Sequence, residues 1–376
     1  MAAMRALLTI LCFATSACGE GIVLSSPADY QVVQRKTKEL GTVTVSGSLI
    51  DLQDKMVIVE IRVIRGDQTG EWQPLAAAAK DGAFCTTREL PAGGWYRMEA
   101  RASVDARVVA ETATEHFAIG EIFVVAGQSN SANHGEEKQQ TATGLVASFD
   151  GQRWRLAKDP QAGASGTGGS FMPPLGDALA KRCGVPVGFV PCGIGATSVR
   201  EWLPAGVSFP SPPTLLDRVR QLPDGSWTSD GKAFEMLLSS IKACGPQGPR
   251  AVLWHQGESD ANQADPTRTL PGDLYRQYLE TIIRESRKSC GRDLPWFVAQ
   301  ASYHVPGDES SPEIRAAQAS LWKDGIALEG PDSDALKGEL RESGGKGVHF
   351  SGKGLREHAT RWEEKLAPWL EKELAK

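Results

Sequence analysis

From residue 121 onward the chain alternates short apolar runs with amphipathic stretches, and that alternation permits few folds. The runs at 121–126, 185–191, 250–254 and 295–301 read as strands. The stretches at 175–183, 234–244, 274–288, 314–322 and 355–374 read as helices. In the last of them Leu355, Trp362, Leu366 and Trp369 share one side. Strands that alternate with helices predict a parallel sheet covered on both faces, since a parallel crossover is long enough to carry a helix. Ligands of such sheets bind beyond the carboxyl ends of the strands. Residues that carry chemistry are therefore expected just after each strand.

Before residue 121 the pattern is different. Thr42-Val43-Thr44-Val45, the run 56–64, Trp95-Tyr96-Arg97-Met98 and Arg107-Val108-Val109-Ala110 are rich in β-branched and aromatic residues, with turns such as Pro91-Ala92-Gly93-Gly94 between them. Several short strands in about a hundred residues predict a small antiparallel β-sandwich of immunoglobulin or fibronectin type over 19–120. The second domain is expected over 121–376. The first collects no catalytic residue types; His116 is its single histidine.

Residues 1–18 stand apart from both. One basic residue, Arg5, precedes an apolar run over 6–14 and the small residues Ser16-Ala17-Cys18. That order predicts a secretory signal, and the run is too short to span a bilayer. Cys18 after Ser-Ala also fits a lipoprotein box, although Thr15 stands where leucine is usual, so cleavage after Ala17 is the competing expectation. An exported chain is expected in the periplasm, on the outer membrane as a lipoprotein, or outside the cell. Export would permit disulfides among Cys85, Cys183, Cys192, Cys244 and Cys290, whose spacing is not that of a zinc site. Lys and Arg number 41 against 46 Asp and Glu, a net charge of −5. That balance argues against a nucleic-acid partner.

Four segments after strands carry the chemistry. In Gly127-Gln128-Ser129-Asn130 a glycine at the strand exit permits a tight turn that sets Ser129 at the start of the next helix. There a serine serves as nucleophile while its own N–H, unpaired at a helix start, binds an oxyanion; an ordinary helix cap fits the same place. Cys192-Gly193-Ile194-Gly195-Ala196-Thr197-Ser198 lets the backbone approach a ligand, with Gly195 N–H as a donor, and lacks the Gly-Lys-Ser/Thr of a phosphate loop. His255-Gln256-Gly257-Glu258-Ser259-Asp260 concentrates polar groups at a strand end. Val348-His349-Phe350 places a histidine among apolar neighbours before the last helix, where a neutral imidazole can act as general base.

Together Gly127-Gln128-Ser129-Asn130, Gly195-Ala196-Thr197-Ser198 with Glu201-Trp202, His255-Gln256-Gly257-Glu258 and Val348-His349-Phe350 resemble, in order, the blocks of the sialate O-acetylesterase-like carbohydrate esterases of the SGNH (GDSL-like) superfamily. The resemblance covers residues 121–370. It implies a flavodoxin-like α/β/α sandwich and cofactor-free, metal-free removal of acetyl groups from sugars. Carried over by position, Ser129 is the nucleophile, His349 its base, and the oxyanion donors are the amides of Ser129 and Gly195 with the Gln256 side chain.

One position departs from the pattern. Related hydrolases carry Asp three residues before the histidine, where this chain has Lys346. Glu258 is the expected substitute, with Asp260, Asp332 and Asp334, or a Ser–His dyad oriented by a backbone carbonyl, as alternatives. Only Lys346 favours a catalytically silent glycan-binding protein on the same scaffold, and a lipase or thioesterase is a third reading. His255 and Asp260 lack further ligands, so no metal is expected.

Overall fold

The computed structural model describes residues 20–52, 55–75 and 82–375. The signal reading of residues 1–18, with Cys12 and Cys18, lies outside them.

Seven strands make the central sheet, in the spatial order Trp154–Leu156, Val146–Phe149, Val187–Pro191, Arg107–Gly127, Ala251–His255, Trp296–Gln300, Leu328–Asp332. All neighbouring pairs are parallel except the edge strand Trp154–Leu156. Counting only Arg107–Gly127, Val187–Pro191, Ala251–His255, Trp296–Gln300 and Leu328–Asp332 as strands one to five, their order is 2-1-3-4-5, that of flavodoxin-like doubly wound sheets. Alternate residues of the first strand face opposite ways. Phe123 and Val125 pack with the helices Met172–Cys183 and Gly352–Glu373, through Leu175, Leu179, Trp362 and Leu366. Ile122, Val124 and Ala126 pack with Lys232–Ala243, Gly272–Cys290 and Pro312–Lys323, through Leu237, Ile282 and Leu321. Burial on both faces is why these strands read as unbroken apolar runs. The helices Met172–Cys183 and Gly272–Cys290 stop at left-handed Gly184 and Gly291, the usual glycine C-cap.

The N-terminal strands form two sheets around one apolar cluster. Gly21–Ser26, Leu40–Ile50 and Ala83–Pro91 make one; Val57–Arg65, Gly93–Val104, the first part of Arg107–Gly127 and Gln31–Gln34 extend the other. Val43, Val45, Phe84, Ile61, Met98 and Phe117 meet between them.

The two halves share a strand. Arg107–Gly127 is one element of 21 residues that pairs with Gly93–Val104 at its start and with the parallel sheet at its end. At the junction Glu121 is fully buried, its carboxylate held by Arg35 Nε at 2.5 Å, Arg250 Nε at 2.6 Å and Gln34 Nε2 at 2.9 Å. Breaking such a pair would strand a buried charge. The strand Leu328–Asp332 and the edge pair at 146–156 were not expected from sequence. Five described cysteines are free thiols.

Candidate active site

Gly127 ends the shared strand at φ 123°, and a Cβ there would stand 2.1 Å from the carbonyl oxygen of His255. Only glycine allows the neighbouring strand to pass so closely while the chain turns. Ser129 follows, and the expected helix is a single 3-10 turn, Ser129–Ser131. The next α-helix starts only at Met172. The intervening segment folds back over the sheet end, held by Asn133, whose side chain donates to the carbonyl of Gln161 at 2.8 Å and accepts from its N–H at 2.6 Å.

Ser129, Gly195, Glu258 and His349 line one cavity of about 710 Å³, with His134, Ser165, Arg218 and His304 also on its wall. The four segments expected to carry chemistry thus converge at the carboxyl ends of the strands.

The carboxylate that meets His349 is not Glu258. Glu342 Oε1 lies 2.8 Å from His349 Nδ1 and accepts from the His349 backbone N–H at 3.1 Å. The return bond, from Glu342 N–H to the His349 carbonyl, is 2.9 Å. Residues 341 and 350 form a bridge, and the glycine-rich turn between them carries Glu342 back across His349. Gly347 leaves room for this: a Cβ there would come 2.2 Å from Glu342 Cγ and 2.6 Å from Oε1. Buried Arg341 fixes the other side of the loop. It donates to the carbonyls of Val348 at 2.7 Å, Ser333 at 2.8 Å and Leu336 at 2.6 Å, and lies over the Tyr303 and Phe350 rings. Burial pulls its pKa down to about 10.

None of the carboxylates proposed from sequence is paired with His349, and Glu258, which lines the cavity, leaves its Oε2 without a hydrogen-bond partner among the described residues. Glu258 Oε1 accepts from Asn130 Nδ2 at 3.1 Å and lies 3.8 Å from His255 Nε2. Asn130 Nδ2 also reaches the Val348 carbonyl at 3.3 Å, so Glu258 holds the residue that links the nucleophile turn to the histidine loop. Asp260 accepts from Ser198 Oγ at 2.5 Å, Val199 N–H at 2.8 Å and Gln256 Nε2 at 2.7 Å, beside buried Arg200. Asp332 and Asp334 share Arg315. His255 is buried, bonded through Nε2 to Ser333 Oγ at 3.0 Å, and burial lowers its pKa.

Gln256 also departs from expectation. Its side chain is fully buried and is not on the cavity wall. Nε2 lies within hydrogen-bond distance of Asp260 Oδ2 at 2.7 Å, the Thr197 carbonyl at 3.1 Å and Gln128 Oε1 at 3.3 Å, three acceptors for its two hydrogens. These acceptors leave the amide no hydrogen over for the cavity. Sequence reasoning passed over Glu342, Ser165 and His134. The signal for Glu342 was present, an acid and a histidine flanking Ser343-Gly344-Gly345-Lys346-Gly347, a composition that turns the chain back on itself.

The family model for carbohydrate esterases described as sialic acid-specific acetylesterases matches residues 119–366. The chain belongs to this family. The carbohydrate esterase family makes it a carboxylic ester hydrolase, and the cavity lies within the matched residues. Among solved structures it is similar to XAC1771, a carbohydrate acetylesterase from Xanthomonas citri. There the identity is 16%, with 92% of this chain and 76% of that chain covered and a TM-score of 0.53. A likeness to NanS has 16% identity, covers 67% of this chain and 98% of that one, and has a TM-score of 0.44, too slight to argue from. No curated protein matches the chain. Among the described residues of this esterase, no helix is long and apolar enough to cross a membrane.

Proposed function

We propose that the chain is a serine esterase that removes O-acetyl groups from a glycan through an acyl-enzyme, with Ser129 as nucleophile, His349 as base and Glu342 as orienting acid. The observation that carries this reading is the 2.8 Å contact of Glu342 with Nδ1 of His349, which lines the same cavity as Ser129. A carboxylate on Nδ1 keeps the proton there, leaves Nε2 to take the serine proton, and stabilises the imidazolium that forms. Ser129 Oγ then bonds to the acyl carbon, and its proton passes to Nε2 and on to the departing sugar oxygen. Water repeats the sequence on the acyl-enzyme. The alkoxide oxygen is held by the N–H of Ser129 and by a donor on the Gly195 side of the cavity.

Polar residues that line the cavity, Asp217, Arg218, Ser259, Gln263 and His304, suit a hydroxyl-rich substrate, whether sialate, xylan or another acetylated glycan. Ile194, Leu215, Val305 and Val348 line the same cavity and favour a second reading, an acyl group longer than acetyl. Rates on acetyl, butyryl and octanoyl esters separate the two. Ser129→Ala tests the assignment itself: acetyl release should vanish with the thermal transition nearly unchanged, and turnover within a few-fold of wild type would refute it. We read the strand order and layers as the SGNH form of the flavodoxin-like sandwich, and residues 19–120 as an immunoglobulin- or fibronectin-like module. Export, with or without a lipid on Cys18, belongs to the same proposal; the mass of the mature N-terminus in its native host tests it.

A further inference from the structure

A backbone N–H carries one hydrogen, and that of Gly195 is already committed. It donates to Ser165 Oγ at 2.6 Å. The same oxygen lies 3.1 Å from His134 Nε2. Ser165 is held in place on both sides, its N–H donating to the Gly193 carbonyl at 2.9 Å and its carbonyl accepting from Asn133 N–H at 2.9 Å. His134 packs so closely on Gly195 that a Cβ there would stand 2.7 Å from its Nε2. Glycine at 195 therefore makes room for the imidazole as well as for a ligand. Ser165, His134 and Gly195 all line the cavity that holds Ser129 and His349.

We propose that the Ser165 hydroxyl is the hydrogen-bond donor to the reacting alkoxide on this side of the cavity, with Gly195 N–H and His134 Nε2–H as the groups that hold and polarise it. A serine hydroxyl accepts two hydrogen bonds and donates one. When the Gly195 amide and the Nε2–H tautomer of His134 fill both acceptor positions, the hydroxyl proton is left for an oxygen in the cavity. A donor that is itself hydrogen-bonded is a stronger donor, because each bond in a chain polarises the next. The proton stays on Ser165 throughout, and no bond to it is made or broken. Burial, and then the neighbouring His349, lower the pKa of His134, while the Glu342 carboxylate acts the other way. A neutral ring at 134 also avoids a second charge 5.3 Å from the ring of His349 when that ring becomes cationic. The arrangement supplies the donor that the buried amide of Gln256 does not.

The inference rests on the serine-esterase reading, and Ser129→Ala is the control that separates the two. With that variant inactive, Ser165→Ala should lower kcat about 10²-fold, the usual loss for one oxyanion donor, with KM within a few-fold and an unchanged thermal transition. Phenylboronic acid, whose tetrahedral adduct on Ser129 carries an oxygen in the alkoxide position, should bind Ser165→Ala weaker by a comparable factor. A Ser165→Ala enzyme as fast as wild type, or faster, would overturn the inference and leave the reading intact, because Gly195 N–H would then serve the alkoxide directly. A loss confined to KM with boronate affinity unchanged would overturn it too. An active Ser129→Ala enzyme would remove the reading and the inference together.

Discussion

Glu342→Gln isolates the charge beside His349 while keeping the shape of the side chain. The amide can still accept from the His349 backbone N–H, so the loop keeps its geometry and only the charge is lost. Two unit charges about 4 Å apart interact by about 4 kcal/mol at an effective dielectric constant near 20 and by about 1 kcal/mol in water. Both side chains keep 23% of their surface exposed, which places this pair between those limits. A transition-state loss of about 2–3 kcal/mol follows, or about 30- to 200-fold in kcat, with KM within a few-fold. Steady-state hydrolysis of an aryl acetate measures this directly. A Glu342→Gln enzyme within threefold of wild type, beside a Glu258→Gln enzyme slowed by orders of magnitude, would refute the reasoning and return the role to Glu258.

Gly347→Ala should repeat that loss with Glu342 and His349 both retained, because its Cβ would occupy the space of the Glu342 carboxylate; kinetics of the Gly347→Ala, Glu342→Gln double variant should show no further fall. Gln256→Ala should lower the melting temperature clearly, since it leaves the buried Asp260 carboxylate short of a donor; a variant with unchanged melting but about 10²-fold lower kcat would make Gln256 an oxyanion donor after all. Glu201 gives a pH signature in stability. Burial raises its pKa from 4.5 to about 7, so the folded chain binds more protons than the unfolded chain between those values, and stability falls as pH rises through that window. Glu201→Gln should flatten the fall in melting temperature between pH 5 and pH 8, and an undiminished fall would contradict the assignment.

Much of the fold was legible because parallel strands buried on both faces leave an unmistakable trace. Phe123-Val124-Val125-Ala126 and Ala251-Val252-Leu253-Trp254 are short apolar runs of that kind, too short for a helix of usual length. The strand Leu328–Asp332 was not, because Gly330 and Pro331 give it the composition of a turn. Hydrophobic patterning changes at residue 120 and reads as a domain boundary; the strand Arg107–Gly127 runs through that point, and Glu121 ties both halves to it. Ser129 looked like the start of a helix because serine caps helices well; tertiary contacts through Asn133 instead hold the following segment open. The sequence pattern has Lys346 at the usual offset from His349 and so points to Glu258, in another block. Contact depends on where a turn returns the chain, and the glycines between Glu342 and His349 return it at seven residues rather than three. The Gln256 amide meets Asp260, four residues on, a contact that the composition of its block does not announce.

The central claim is that Ser129 is a nucleophile activated by His349 and Glu342, and covalent labelling tests it most directly. A fluorophosphonate ester reacts with an activated serine and stays attached, so peptide mass mapping identifies the residue. The account predicts one label per chain, on Ser129, with activity lost in step, no labelling of Ser129→Ala, and markedly slower labelling of Glu342→Gln. Full activity after saturating treatment, or a label on another residue that tracks the loss of activity, would contradict it.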